Sequence, residues 1–426
     1  MSNDYALEKI PQDQKRGWVS MFSVLVAIGV DLSSVLLGSE LAASMSTKDA
    51  ILAVLVGSFL MAILYTACAL VGSSTSLSTS MITKYVFGEV GAKIFSLVIG
   101  ISLLGWFGVQ VGFFAENAQL VLSEIFNIDI SVSILSLIGG LLMMSTAIIG
   151  YSAMEKLSVY SVPFLLILMM VTLFMAVSKN SLPTDEVIQN SMTFAQGVSL
   201  AMSIGIVGAI ISPDISRWSK TKKDCILSSF FGMVFGNSFM IIVSIILVKV
   251  MKTDDIMGIF MILGLAIPGI LILTLAQWTT NTSNVYSSAL SISLVFKKIS
   301  IKKLTIILGL IATSLAVMGI YNNFFVFLDI LGIIVAPVAG VYVSEFFIVK
   351  KEINEDMKLT NHKKVVIRSI IAWIVGIIVT YMSYMGIINL TTISTLDGFI
   401  IGFMSQAILS KVKVFNTNDK LKESTN

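Results

Sequence analysis

The chain is written as long apolar runs separated by short, charged connections. Crossing a hydrocarbon core takes about 20 mostly apolar residues in helical form. Twelve runs meet that need, at about 18–41, 50–72, 92–122, 131–150, 157–177, 195–213, 226–249, 258–295, 304–321, 324–348, 367–385 and 390–410. The eighth turns polar in its middle, with Gln277, Thr279, Thr280, Asn281, Thr282, Ser283 and Asn284 in close succession. It reads as one long helix with a polar face turned inward. The pattern therefore predicts an all-α membrane protein of 12 transmembrane helices.

The charged residues test that count. Lys and Arg collect in loops that stay on the cytoplasmic side. If the N-terminus is inside and twelve helices follow, all of the 28 basic residues except Lys48, Lys179, Lys249 and Lys252 fall on the cytoplasmic side. One helix more or fewer would reverse the alternation downstream. Both termini are thus expected in the cytoplasm, and the protein in the inner (cytoplasmic) membrane. Composition agrees: 56% hydrophobic and 12% charged residues, against about 25% charged in soluble domains. A net charge of +3 gives no case for nucleic-acid binding. Cys68 and Cys225 lie in or beside apolar runs and read as small buried hydrophobes. His362 is the single histidine, which argues against a His-based metal site. The first apolar run is too long for the core of a signal peptide, so no cleavable signal is expected.

The loops carry no phosphate-binding P-loop, nucleophile elbow or metal-ligand cluster, and none has the size of a domain. An ATP-driven pump and an enzyme are excluded on that reading, and no cofactor is expected. A transporter, a channel or a structural membrane protein remain. Polar residues within spans discriminate among these, because they are costly in hydrocarbon and mark pathways or sites. Four spans carry them. The first reads Ala27-Ile28-Gly29-Val30-Asp31-Leu32-Ser33-Ser34, the third Gly105-Trp106-Phe107-Gly108-Val109-Gln110, the sixth Ser203-Ile204-Gly205-Ile206-Val207-Gly208, and the eighth Gln277-Trp278-Thr279-Thr280-Asn281. Spans 1 and 6 stand five apart, as do 3 and 8. That is the pattern of two five-helix repeats of inverted topology, which place broken helices in corresponding positions and bind substrate near the midplane. Glycines that merely let helices pack closely are the alternative. The organisation read here is an N-terminal tail (1–17), a first repeat (18–180), a second repeat (190–348), two additional helices (349–410) and a C-terminal tail (411–426).

At these residues the chain resembles the nucleobase–cation symporter family 1, in its cytosine-permease-like branch. The resemblance rests on Gly105–Val109 (GWFGV), Pro213–Trp218 (PDISRW), Gly236–Met240 (GNSFM), Trp278–Asn281 (WTTN) with Tyr286, Tyr321–Phe324 (YNNF) and Ala336–Val341 (APVAGV), in the family's order. It implies a leucine-transporter-like 5+5 inverted repeat with helices 1 and 6 broken, plus two C-terminal helices. It implies symport of a heterocyclic base with a coupling cation, Na+ or H+, by a protein expected to act as a monomer in contact with membrane lipid. Carried over residue by residue, the Na+ site would be Ala27, Val30, Ala276, Thr279 and Thr280. Substrate would meet Trp106, whose flat π-face suits a planar ring, and Gln110, one turn on, whose amide both donates and accepts. The backbone at Ser203, Ile204 and Gly205 would face the ligand at the break of helix 6, and Asn284 would add a polar contact from helix 8.

The chain departs from the family pattern in places. Leu103 stands where a glutamine precedes the Trp, Val207 where helix 6 has a serine, and Asp31 where an apolar aromatic is expected. A carboxylate at mid-membrane depth must be paired, solvated or protonated. Asp31 therefore either binds a donating or cationic group of the substrate, takes up a proton beside the cation site, or satisfies backbone N–H groups at the helix break. Glu116, Asp329, Glu345 and Asp397 lie nearer span ends and are expected at the interface or in water. Asp214 and Arg217 are expected to form a cytoplasmic anchor or gate. A channel or a substrate-sensing protein on the same scaffold, or a transporter of a cationic amine-bearing solute, are the other functions considered.

Overall fold

A computed structural model describes residues 10–29, 32–149, 151–179, 192–349 and 364–412. In chain order the helices are α1 (Trp18–Gly29), α2 (Leu32–Ser44), α3 (Thr47–Thr75), α4 (Thr79–Phe126), α5 (Val132–Ile149), α6 (Tyr151–Lys179), α7 (Phe194–Ile210), α8 (Pro213–Ser216), α9 (Lys222–Met251), α10 (Ile256–Ile262), α11 (Ala266–Ser293), α12 (Ile301–Val317), α13 (Phe324–Ser344), α14 (Ile367–Tyr384) and α15 (Ser394–Leu409). A π-helical turn, Glu345–Val349, follows α13. Helical structure thus lies at each of the apolar runs. Five stretches are long and apolar enough to cross a membrane by length and composition: Thr47–Thr75, Thr79–Phe126, Lys222–Met251, Ile320–Val349 and Ile367–Tyr384.

Local chemistry sets the ends. Ser46, Thr221 and Ser300 accept from backbone N–H groups of the first turns of α3, α9 and α12, and Thr193 and Gln196 close a capping box on α7. Each such cap is worth about 1 kcal/mol. The eighth apolar run is shorter as a helix than the sequence suggested. Gly264, at φ +76°, ends α10 and lets the chain turn before α11 begins at Ala266. From there α11 is one unbroken helix. The third run is longer than expected because α4 starts at Thr79, with Gly88 bending it at φ 78°, ψ 177°. The bend frees backbone groups, and the stretch ahead of α14 takes them up: Val366 N–H donates to the Phe87 carbonyl (3.1 Å) and Val90 N–H to the Lys364 carbonyl (3.0 Å).

Besides α13, α14 and α15, which pack closely on one another, two groups of helices pack mainly among themselves, α1, α2, α3, α7 and α9 in one, and α4, α5, α11 and α12 in the other. The motif Gly236–Met240 serves the first. A Cβ on Gly29 would lie 2.4 Å from the Gly236 carbonyl carbon, so α1 and α9 touch backbone to backbone. The Asn237 amide donates to Ser58 Oγ (2.9 Å) and to the Ala201 carbonyl (3.0 Å), tying α9 to α3 and α7. Lys249, at the end of the seventh apolar run, is buried in α9 and donates to the Met45 carbonyl just after α2 (2.9 Å).

The motif Ala336–Val341 serves α13 and α15. A Cβ on Gly340 would sit 2.1 Å from the Phe399 carbonyl oxygen, and one on Gly402 2.3 Å from the Pro337 carbonyl oxygen. Neither obstacle is a flexible side chain. Gly340→Ala is expected to destabilise the protein by about 1–3 kcal/mol, the usual cost of overpacking, read as a fall in the unfolding temperature of the detergent-purified protein. An unchanged transition would show that the helices can part freely.

Two acidic residues expected at span ends are not exposed. Glu345 is buried with Arg368 (Oε1 to guanidinium, 2.8 Å) and accepts from the Gln406 amide (2.6 Å), which also donates to Ser369 Oγ (3.0 Å). Asp397 is buried, accepting from Ser383 Oγ and from the N–H and hydroxyl of Thr391. Both carboxylates find partners on α14, α15 or the segment between them, which local hydropathy does not reveal. Glu116 is exposed and Asp329 half-buried. Large apolar side chains point outward instead, among them Phe59, Ile101, Phe174, Ile311 and Ile378. Apolar exteriors around buried polar groups are what a lipid solvent asks for.

Candidate functional site

The candidate site lies along the seam between α4 and α11. These helices run antiparallel and are pinned at two heights. Ser288 Oγ donates to the Gly100 carbonyl (2.8 Å), and Ile270 packs against the cluster of Ala115 and Ala118 of α4 with Leu135 of α5. Both helices rise about 1.5 Å per residue. Gln277 is therefore level with Gln110 and Val111, Asn281 with Phe107, and Asn284 with Leu103 and Leu104.

Trp106 and Gln110 are buried, 7% and 1% exposed, one turn apart on α4. The Trp106 ring meets Phe324 and Phe327 of α13 edge to face, at centroid distances of 6.0 and 5.5 Å, and Phe324 in turn meets Phe113 at 5.2 Å. Sequence reasoning missed this bracing of Trp106 by α13. Its signal was available in the aromatics that follow Tyr321–Asn322–Asn323.

On α11, three of the oxygens expected at the cation site converge. Thr279 Oγ1 donates to the Ala276 carbonyl at 2.7 Å and Thr280 Oγ1 to the same carbonyl at 3.1 Å. Bonds back to the i−3 and i−4 carbonyl are what hydroxyls do in any apolar helix. The same three atoms form a patch of hard oxygen donors, and turning the two hydroxyl protons aside would offer three lone pairs to one cation. This donor chemistry fits Na+. Ala27 lies in α1, while Val30 and Asp31 lie outside the described residues.

Trp278 and Thr282 face the other way, donating to Thr146 Oγ1 (2.7 Å) and, for Thr282, to its own helix (2.6 Å) and to the Met143 carbonyl. Asn284, expected to touch substrate, is half-buried. Asn281, given no site role from the sequence, is fully buried with its amide nitrogen on Met143 Sδ (3.2 Å) and its carbonyl oxygen without a hydrogen-bond partner in the protein. The spacing of Gln277, Asn281 and Ser288, all on the α4-facing side of the helix, was the signal that would have found it.

The expected break of helix 6 at Ser203–Gly205 is corrected by the structure. α7 runs without interruption from Phe194 to Ile210 and turns only at Ile211–Ser212, before Pro213. The Ser203 hydroxyl pairs with Thr395 Oγ1 of α15 (2.8 Å), which also meets Ser199 Oγ (2.8 Å). A Cβ on Gly205 would meet the methionine tips of Met61 and Met233 at 3.2 and 3.3 Å. These residues pack α7 against its neighbours. Ile204 is half-buried and Val207 buried.

At the end of α7, Asp214 accepts from the Thr79 N–H at the start of α4 (2.8 Å), and Arg217 Nε donates to the Asp214 carbonyl (3.2 Å). Burial pushes the Asp214 carboxyl above the usual range, opposed by Thr79 and the Arg217 charge. Ser216 Oγ donates to the Ala69 carbonyl (2.7 Å) and Ser219 Oγ to Ser73 Oγ (2.7 Å), fixing this turn to α3. Arg16 N–H donates to the Trp218 carbonyl and Lys220 N–H to the Arg16 carbonyl, at 2.7 and 2.9 Å, so the segment before α1 is tied to the same turn.

Residues 9–403 match the family described as permeases for cytosine/purines, uracil, thiamine and allantoin. The chain belongs to this permease family. It is 30% identical over 347 residues to the cytosine permease of Escherichia coli, covering 81% of each chain. It is 22% identical over 373 residues to the hydantoin permease of Microbacterium maritypicum, covering 79% of this chain and 73% of the relative. Its fold is that of Mhp1. The inward-facing form superposes with a TM-score of 0.83 at 15% identity, covering 96% of this chain and 93% of Mhp1. The closed form of Mhp1, described as a nucleobase-cation-symport-1 family transporter with bromovinylhydantoin bound, gives 0.78 at 16% identity, covering 96% and 94%. The chain is thus a multi-pass membrane permease of the nucleobase–cation symporter family 1, on the cytosine-permease side.

Proposed function

We propose that this permease imports a nucleobase or related planar nitrogen heterocycle by symport with Na+ or H+, through alternating access. It crosses the inner membrane twelve times with both termini in the cytoplasm. The observation that carries the reading is the pairing, on adjoining helices, of a buried Trp106–Gln110 site with the oxygen patch of Ala276, Thr279 and Thr280. A planar ring stacks on Trp106 while Gln110 bonds its edge. A cation held by α11 together with the backbone oxygens of Ala27 and Val30 orders the adjacent pocket, so substrate and cation favour the same state of the protein. The separate packing of the α1–α2–α3–α7–α9 and α4–α5–α11–α12 groups supports rocking of one bundle against the other. Asp31, which follows Ala27 and Val30 in sequence, would bear on which heterocycle is taken.

The test is a binding screen of the purified protein against cytosine, uracil, purines, aminopyrimidines and hydantoins, with and without sodium. Saturable binding of at least one, strengthened by sodium or by low pH, is expected; no binding across the panel would overturn the proposal. Thr279→Val and Thr280→Val keep the volume of the side chain and remove the oxygen. If Na+ is the coupling ion, either change is expected to bring affinity in sodium down to its sodium-free value, about tenfold or more, the size of a typical coupling between sites. Retained sodium enhancement in both variants would remove these hydroxyls from the cation site.

A further inference from the structure

Gln277 is the most unusual polar residue in the described structure. Its side chain is 1% exposed, and neither its amide nitrogen nor its amide oxygen has a hydrogen-bond partner in the protein. Other buried hydroxyls and amides lack a partner at one atom; among the described residues Gln277 alone lacks one at both. Burying a primary amide with both ends unmade is among the costlier things a helix can do, and glutamine has easy apolar replacements of the same size. Its place on the helix is informative. At 100° per residue, Gln277 falls between the α4-facing line of Ile270 and Ser288 and the line of Ala276 and Thr280. It is thereby level with Gln110 and one turn from Asn281, whose amide oxygen is also open.

We propose that Gln277 is a specificity-determining residue that reads the hydrogen-bonding edge of the transported ring from the α11 side, opposite the α4 residues Trp106 and Gln110. This deepens the reading under "Proposed function" and rests on it. A primary amide offers donors and acceptors from one planar group. It matches a ring edge that carries an N–H beside a carbonyl, or a ring nitrogen beside an amino group. A site built this way rejects a ligand lacking that edge, because the amide is then left unpaired. The substrate class is accordingly a ring with complementary donor and acceptor atoms on adjacent positions, and an N-alkylated edge is excluded.

The experiment is a double-mutant cycle on the full-length purified protein. The tightest ligand from a panel of cytosine, uracil, hypoxanthine and hydantoin is compared with its N-methylated isomers, on wild type and on Gln277→Leu. For one isomer, methylation is expected to weaken binding tenfold or more in wild type and threefold or less in Gln277→Leu. Gln277→Leu itself is expected to lose about tenfold for the parent ligand while keeping the wild-type ratio of affinities with and without sodium. The unfolding temperature of the ligand-free variant is expected to be equal or higher, since an unpaired amide is gone. Strictly additive effects of methylation and substitution at every ring position would overturn the inference, as would a lower unfolding temperature with unchanged ligand selectivity, which marks a structural amide. Failure of wild type to bind any ring in the panel would instead strike the proposed function.

Discussion

Trp106→Ala is expected to weaken heterocycle binding on the order of 100-fold, because stacking of a base on an aromatic side chain is worth about 1–3 kcal/mol and the emptied space removes further contact. The measurement is calorimetric titration, since five tryptophans complicate fluorescence. The loss has two sources that a second variant separates. Trp106 is proposed to stack on the ligand and is also braced edge to face by Phe324 and Phe327, pairs worth about 0.5–1.5 kcal/mol each beyond their area. Trp106→Phe keeps a stacking face while shortening the bracing contact. It is expected to recover most of the affinity, whereas Trp106→Leu, apolar but not flat, is expected to behave like alanine. Wild-type affinity in the alanine variant would remove Trp106 from the site. The oxygens proposed to hold sodium lie on α11, so protection by sodium against thermal unfolding is expected to survive all three changes.

The largest expected effect on stability is at Glu345. Glu345→Ala leaves the Arg368 guanidinium buried without its carboxylate, and breaking a buried pair from one side costs about 3–5 kcal/mol. The expected result is a marked fall in unfolding temperature and in recovered monodisperse protein. Glu345→Ala combined with Arg368→Met is expected to restore much of the loss, because no charge is then stranded. A single variant as stable as wild type would mean that water reaches the pair. Gln406 and Ser369 share the network, so the effect reports on the docking of α14 and α15 as well as on α13.

These expectations show which parts of the molecule were legible in sequence. Each apolar run became helical because a long apolar stretch with few charges has no other stable form in lipid. The polar face of α11 was legible as a face, yet its register was not. Asn284 and Asn281 are equally polar in sequence, and only the contacts of Ser288 with Gly100 and of Ile270 with the Ala118 cluster decide how each is turned. Glycines misled at helix 6. Gly205 suggested a break, but it makes room for Met61 and Met233, and a glycine needed for packing looks the same in sequence as one needed for a break. Glu345 and Asp397 were misplaced because a residue near the end of an apolar run is ordinarily wet. Their partners are brought by chain segments whose pairing hydropathy cannot foretell. The triad Ala276, Thr279 and Thr280 was legible as a cluster because i, i+3 and i+4 share a face on any helix.

The bend in α4 has a consequence for how the protein is made. Its carbonyl at Phe87 and its N–H at Val90 are met by Val366 and Lys364, residues that leave the ribosome only after most of the chain has been inserted. Until then helix 3, which carries Trp106 and Gln110, has a hinge with unmet backbone groups. Synthesis proceeds from the N-terminus and early segments wait for late ones. A chain halted before Lys364 would hold every residue named for substrate and cation, yet the bend of α4 would still lack the two backbone bonds that Lys364 and Val366 supply. The segment ahead of α14 thus completes the bend of α4 only once translation is nearly finished.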